Sequence, residues 1–84
     1  MITGIYKITN LTNGHYYIGQ ATDIKARWRE HRFSANHPEY KDHNSPIHRA
    51  LAKYGEQNFS YEILEECSPE ELNQKEIDWQ IENK

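Results

Sequence analysis

The stretch GIYKITNLTNGHYYIGQ, residues 4–20, constrains this chain more than any other part of it. Two runs of β-branched and aromatic residues, types that suit a pleated and half-buried surface, flank Asn13-Gly14. That pair reverses a chain readily because both residues tolerate positive φ. The stretch therefore predicts an antiparallel hairpin. A two-residue loop and a four-residue loop from Leu11 to Gly14 both fit. In either register Tyr6 and Ile8 share a face with Tyr17 and Gly19, because side chains alternate across a strand. In the four-residue version Tyr6 lies opposite Gly19, with Tyr17 on the diagonal about 7 Å away, and the glycine leaves a gap beside the phenol. Such a pair reads either as core packing under a helix or as the floor of a site.

Downstream, TDIKARWREHRFSAN predicts a helix capped by Thr22 or Asp23, whose short side-chain oxygens accept from the free first-turn amides. On the helical period Ile24, Trp28, His31 and Ala35 form one stripe, Arg27 stands at its border, and Lys25, Arg29 and Arg32 point elsewhere. A polar loop, NHPEYKDHN, follows. In SPIHRALAKYG, Ser45 as N-cap, Pro46 in the first turn and Gly55 past the end delimit a second helix with Ile47, Ala50, Leu51 and Tyr54 inward. FSYEILE predicts a strand with Phe59, Tyr61 and Ile63 on one face and Leu64 on the other, hence a central strand covered on both sides. SPEE, a capping-box pattern with Pro69 in the first turn, opens a third helix. There Leu72, Glu76 and Trp79 share one stripe and Ile77 and Ile81 another, which sets Glu76 among apolar neighbours. The order ββααβα predicts an α+β domain, a small three-stranded antiparallel sheet flanked by helices. The last helical pattern runs on to Lys84 without a stop signal. Residues 1–84 thus read as one catalytic-size module, the N-terminal part of a longer protein.

Eighty-four residues suffice for one domain, with a small core, since a chain of this size buries about two-thirds of its surface. A single cysteine excludes an intramolecular disulfide and a multi-cysteine zinc site and fits a reducing compartment. Cys67 follows two glutamates, which should raise its pKa and blunt it as a nucleophile. No apolar run is long enough to span a bilayer, and the chain reads as cytosolic. The net charge of −3 is unevenly placed: residues 1–60 carry eight Lys/Arg against five Asp/Glu, and residues 61–84 carry two against eight. A basic front of +3 before an acidic tail of −6 is compatible with weak nucleic-acid contact through the front.

Tyr6, Tyr17, Arg27, His31 and Glu76 each have an ordinary structural reading when taken alone. Together, two phenols, a guanidinium, an imidazole and an inward carboxylate are what phosphodiester hydrolysis needs. A carboxylate can hold Mg²⁺, which keeps most of its waters and needs few protein ligands. The metal and the arginine neutralise charge in the transition state, and a phenol can take or relay the proton of an attacking water. The histidines at 15, 37, 43 and 48 lack ligand spacing and read mostly as surface residues. No GxxxxGK[ST] is present, which excludes a nucleotide-hydrolysing P-loop.

These residues carry a resemblance. Gly4-Ile5-Tyr6 and Tyr17-Ile18-Gly19 stand as the two name-giving triplets of the GIY-YIG endonuclease domain. The likeness continues through Asp23, Arg27-Trp28 and His31, then Asn44-Ser45-Pro46-Ile47, Ala50 and Lys53-Tyr54-Gly55, then Asn58-Phe59 and Glu62-Ile63-Leu64, and ends at Glu76. The KYG-x-x-NF run and the Glu-rich start of the last helix resemble the homing-endonuclease branch. The resemblance implies a Mg²⁺-dependent (or Mn²⁺-dependent) DNA nuclease module with a single active site, monomeric, cytoplasmic, and of bacterial or phage origin. Arg27 would hold the scissile phosphate and Glu76 the metal. Tyr6 or Tyr17, in the first place Tyr6, would be the general base or water-positioning residue. His31 would stand near the nucleophile or leaving group, and His43 or Asn44 could supply a further polar group. A separate C-terminal DNA-binding region, absent from this chain, would supply specificity. The alternative is a GIY-YIG-like module that binds DNA without cutting it.

Overall fold

The hairpin settles into the longer of its two predicted loops. In the computed structural model, which describes residues 1–35 and 46–82, β1 (Gly4–Asn10) and β2 (Tyr16–Ala21) pair antiparallel with Gly4 opposite Ala21 and Tyr6 opposite Gly19. Residues 11–14 form the loop. Gly14 alone in it takes positive φ, at 78°, and its amide closes on the Asn10 carbonyl at 2.8 Å. The Asn10 and Asn13 side chains each accept a backbone N–H two residues on, at 2.9 Å, so the asparagines brace the turn without taking positive φ themselves.

Helix α1 (Ile24–Ala35) begins at Asp23, whose carboxylate accepts from the Ala26 amide at 3.2 Å; of the two predicted caps, Asp23 is the one used. Helix α2 (Pro46–Tyr54) ends where Gly55 turns to φ 86°. After a 3₁₀ turn at Glu56–Asn58, β3 (Phe59–Glu66) returns antiparallel to β1. A second 3₁₀ turn, Pro69–Glu71, leads into α3 (Leu72–Glu82). Here Glu71 receives the Ser68 amide at 3.2 Å and its hydroxyl at 3.0 Å, while the Glu71 amide goes to the Ser68 carbonyl at 3.0 Å. The predicted Ser45 cap, and His37, His43 and Asn44, lie outside the described residues.

The sheet order is β2-β1-β3, which corrects one expectation: β3 is an edge strand, and the strand buried on both faces is β1. Its even residues Tyr6 and Ile8 pack under α1 and α2 with Ala21, Ile24, Ile47, Leu51 and Phe59. On the reverse face Ile5 and Ile18 meet Leu72 of α3, with Leu64, Cys67 and Trp79 around them. The chain thus forms two small cores on one sheet, the three-layer solution for a sheet apolar on both faces.

Glu65 owes its position beside α3 to an irregularity. Tyr6 pairs with Ile63 but Ile5 pairs with Glu65, so Leu64 is an extra residue, a β-bulge. The bulge turns two consecutive side chains, Leu64 and Glu65, toward α3. Leu64 joins the reverse core, and Glu65 accepts from Trp79 Nε1 at 3.0 Å and pairs with Lys75 Nζ at 3.0 Å. These two partners hold the Glu65 carboxyl below the ordinary carboxylate range. Cys67 is raised as expected, though burial comes first and Glu71 and Glu65 second. Ile77 and Ile81 of α3 face solvent. Among the described residues, no helix is long and apolar enough to cross a membrane.

Candidate active site

Gly19 creates the room in which the phenol of Tyr6 lies. A Cβ built at Gly19 would stand 2.6 Å from Tyr6 Oη, 2.7 Å from its Cζ and 2.8 Å from Tyr17 Cε1. The edge strand can therefore press against both rings only where it has no side chain. Gly4 is tight in the same sense, since a Cβ there would collide with the Glu65 carbonyl. The two triplets around these glycines thus mark close backbone approaches on either side of β1.

Tyr6 is 1% exposed. Its ring stands 6.2 Å from that of Tyr17, 6.1 Å from Trp28 in an edge contact, and 6.1 Å from His31. The hydroxyl meets His31 Nε2 at 2.9 Å, a buried contact between β1 and α1. Loss of solvent pushes the Tyr6 phenol well above the usual tyrosine value. The neighbouring Tyr17 adds to the rise and Glu76 adds a little more, while the Arg27 guanidinium pulls it back. One buried hydroxyl thus feels all four of the other predicted site residues, one through a hydrogen bond and three through charge or dipole.

Tyr17 shares the face as expected, but at 37% exposure it is the solvent-side member of the pair. Arg27 is also largely exposed; its nearest anionic contact is Glu30 one turn on, at 3.7 Å, an open and weak ion pair that leaves the guanidinium available. Glu76 approaches from the other side of the sheet. It is half-buried on α3, where Gln20 of the edge strand donates to its Oε1 at 3.4 Å and to Asn73 Oδ1 at 2.8 Å. The carboxylate therefore sits around the edge of β2 from the tyrosines, one residue beyond Gly19.

Two polar residues at the site escaped the sequence reading. Gln20 carried no pattern, because any polar residue on the edge strand would read the same way. His48 was grouped with the surface histidines, yet it is 6% exposed and its Nε2 lies 2.7 Å from His31 Nδ1. It flanks the inner stripe of α2, and α1 packs against that flank as well as the sheet, so the buried arc of α2 is wider than periodicity alone suggests. The result is a continuous buried chain, Tyr6 Oη–His31 Nε2/Nδ1–His48 Nε2.

Beside Tyr17 a cleft of about 490 Å³ runs between the hairpin and α2, lined by Tyr16, Tyr17, Tyr54 and Phe59 with Arg49 and Lys53. Among the described residues its full charges are cationic, in a chain whose net charge is −3.

The fold has counterparts among solved structures. The catalytic domain of intron endonuclease I-TevI, in a glutamate-to-alanine mutant, matches with a TM-score of 0.81 and 28% identity over 98% of this chain and 84% of that one. The catalytic domain of homing endonuclease I-TevI in a second structure matches at 0.76 and 28% identity, over 95% of this chain and 86% of that one. No curated protein sequence matches. The family model described as the GIY-YIG catalytic domain spans residues 2–84, and the triplets that shape the Tyr6 pocket are the ones it is named for: the chain belongs to the GIY-YIG family of nuclease catalytic domains.

Proposed function

We propose that this domain is a DNA endonuclease module that hydrolyses phosphodiester bonds by water attack at one active site, assisted by Mg²⁺ or Mn²⁺. The observation that carries the reading is the buried Tyr6–His31 contact at 2.9 Å, with Arg27 and Glu76 acting by charge on the same phenol. A hydroxyl held against an imidazole in a desolvated pocket is arranged for proton transfer. A core tyrosine needs only a backbone carbonyl.

Arg27, exposed and weakly paired, is free to bind the scissile phosphate and counter the charge that grows on it. Tyr6 orients the attacking water and passes on its proton, and Tyr17 shields the pocket from bulk solvent. Glu76 is the metal ligand. The donors on its side of the edge strand are hard oxygens, and among the described residues no group of three His, Cys, Asp or Glu forms a cage. That set suits an ion content with one carboxylate and its own waters and does not suit zinc. When bound, the ion supplies positive charge against the phosphate oxygens. The cationic cleft beside Tyr17 gives the DNA strand a path to the site.

The test is nicking of supercoiled plasmid by the parent and by Glu76→Ala in Mg²⁺. The parent should nick and the variant should be slower by on the order of 10²-fold or more, as for loss of one major electrostatic contact in an active site. Equal rates would remove Glu76 from the site. DNA binding by a parent that never nicks would instead establish the non-cleaving reading.

A further inference from the structure

We infer that the cleft beside Tyr17 is a stacking slot for one unpaired nucleobase of the DNA, next to the phosphate that is cut. The inference rests on the nuclease reading for the place of that phosphate, while binding in the cleft stands by itself.

The cleft joins two kinds of surface that duplex DNA does not use together. Its interior is apolar: Ile8 and Phe59 from the sheet and Ile47 and Ala50 from α2 line it, with Tyr17 and Tyr54. Its cations are Arg49 and Lys53, which follow one another by one turn on the exposed flank of α2. Neither has an acidic partner among the described residues. Phosphates alone need cations and amide donors and gain nothing from an aromatic interior. Bases within a duplex are paired and stacked on their neighbours, so they have no face to offer. An unpaired nucleotide brings both features at once, a flat π-face for a tyrosine and a phosphate for a cation. On α2 the two demands meet in consecutive residues, since Lys53 Nζ lies 5.3 Å from the centroid of the Tyr54 ring. The volume of about 490 Å³ falls within the range of about 300–1,000 Å³ that holds small organic ligands.

Tyr17 fixes where along the strand that base belongs. It lines the cleft, and its ring also stands 6.2 Å from that of Tyr6 and 5.9 Å from that of His31. The slot and the Tyr6 pocket thus share one residue as a wall. A base in the slot is therefore a neighbour, along the strand, of the phosphate presented to Tyr6 and Arg27. The consequence is a substrate preference. A strand that already offers an unpaired nucleotide at this place binds without the unstacking that a fully paired strand must undergo. Every base has a π-face, so the slot selects the unpaired state and not the sequence.

The test compares three fluorescently labelled duplexes of one sequence by anisotropy in EDTA, where no divalent metal supports cleavage. One is fully paired, one carries a single extra nucleotide in one strand, and one carries the same bulge as an abasic site. The bulged duplex should bind on the order of 10-fold more tightly than the abasic one, which has the same phosphates and no base. The Tyr54 ring resonances, followed by NMR, should move with the bulged duplex and not with the abasic one. Tyr54→Leu should bind both bulges equally, and Tyr54→Phe should keep the preference. Equal affinity of the parent for the two bulges overturns the inference, which decides the matter even if Tyr54→Leu fails to fold. So does a preference that leaves the Tyr54 ring unmoved, because the base is then held elsewhere. Movement of that ring with protein concentration, in the absence of DNA, gives the cleft to a second copy of this chain and overturns the inference as well. Absence of plasmid nicking by the parent in Mg²⁺ overturns the nuclease reading instead, and leaves the binding ratios to judge the slot.

Discussion

Gly19→Ala is the sharpest available probe of how the fold shapes the Tyr6 pocket. The backbone at Gly19 is not in the left-handed region, since among the described residues only Gly14 and Gly55 have positive φ. Alanine should therefore suit the strand as well as glycine does or better. The added methyl is the whole perturbation. It would stand 2.6 Å from Tyr6 Oη and 2.8 Å from Tyr17 Cε1, where carbon contacts are comfortable at about 3.5–4.0 Å, so one or both rings must retreat by roughly 1 Å. Tyr17 is partly exposed and can swing aside. Tyr6 cannot, because it is 1% exposed, bonded to His31 and edge-on to Trp28. Overpacking of this kind costs about 1–3 kcal/mol, which in a domain of this size lowers the melting temperature by roughly 4–8 °C per kcal/mol. Displacement of a reacting group by about 1 Å costs on the order of 10²-fold in rate. Thermal unfolding by circular dichroism and plasmid nicking in Mg²⁺ measure the two effects on one sample. A Gly19→Ala protein with parental melting temperature and parental nicking would refute the reasoning, since it would mean that the phenol is not wedged against the edge strand.

Other outcomes follow from the same geometry. Tyr6 has a folded-state pKa above the ordinary value of about 10, so the stability it contributes is fully present below that pH. It is lost as pH rises through the higher folded value; Tyr6→Phe should flatten the decline of the unfolding midpoint in strong alkali, and a parent and variant with the same alkaline slope would contradict the assignment. Leu51→Ala, at a position 2% exposed in the α1/α2 core, should cost about 2–5 kcal/mol, read as a fall in denaturant midpoint. Arg49→Ala with Lys53→Ala should leave the melting temperature near parental but reduce the slope of log K for DNA against log salt by roughly 1.8, if each cation meets one phosphate; an unchanged slope would place the DNA elsewhere.

The hairpin, the three helices and the strand order along the chain were legible because their signals are local: Asn13-Gly14 for the turn, Asp23 for a cap, Gly55 for a stop. Tyr6 and Tyr17 were placed on one sheet face, and His31 on the inner stripe of its helix, by the parities of strand and helix. The pairing of β1 with β3 was not legible, since nothing in FSYEILE records which neighbour it takes, and the bulge at Leu64 exists only relative to Ile5 and Tyr6 across the ladder. His48 was missed for a related reason. Periodicity describes a helix covered from one side, and α2 is covered from two.

The bulge at Leu64 also sets a reading frame for what lies beyond it. Before it, odd-numbered residues of β3 look toward α1 and α2; after it, the odd-numbered Glu65 looks the other way and clasps Trp79 and Lys75. Were the alternation unbroken through Leu64, Glu65 would face α1 and α2 instead, and α3, with Glu76 on it, would lose the clasp on Trp79 and Lys75. The address of the anionic group is thus written in a counting irregularity on the far edge of the sheet, and any comparison of related chains that closes a gap there will misassign the face of every residue after it.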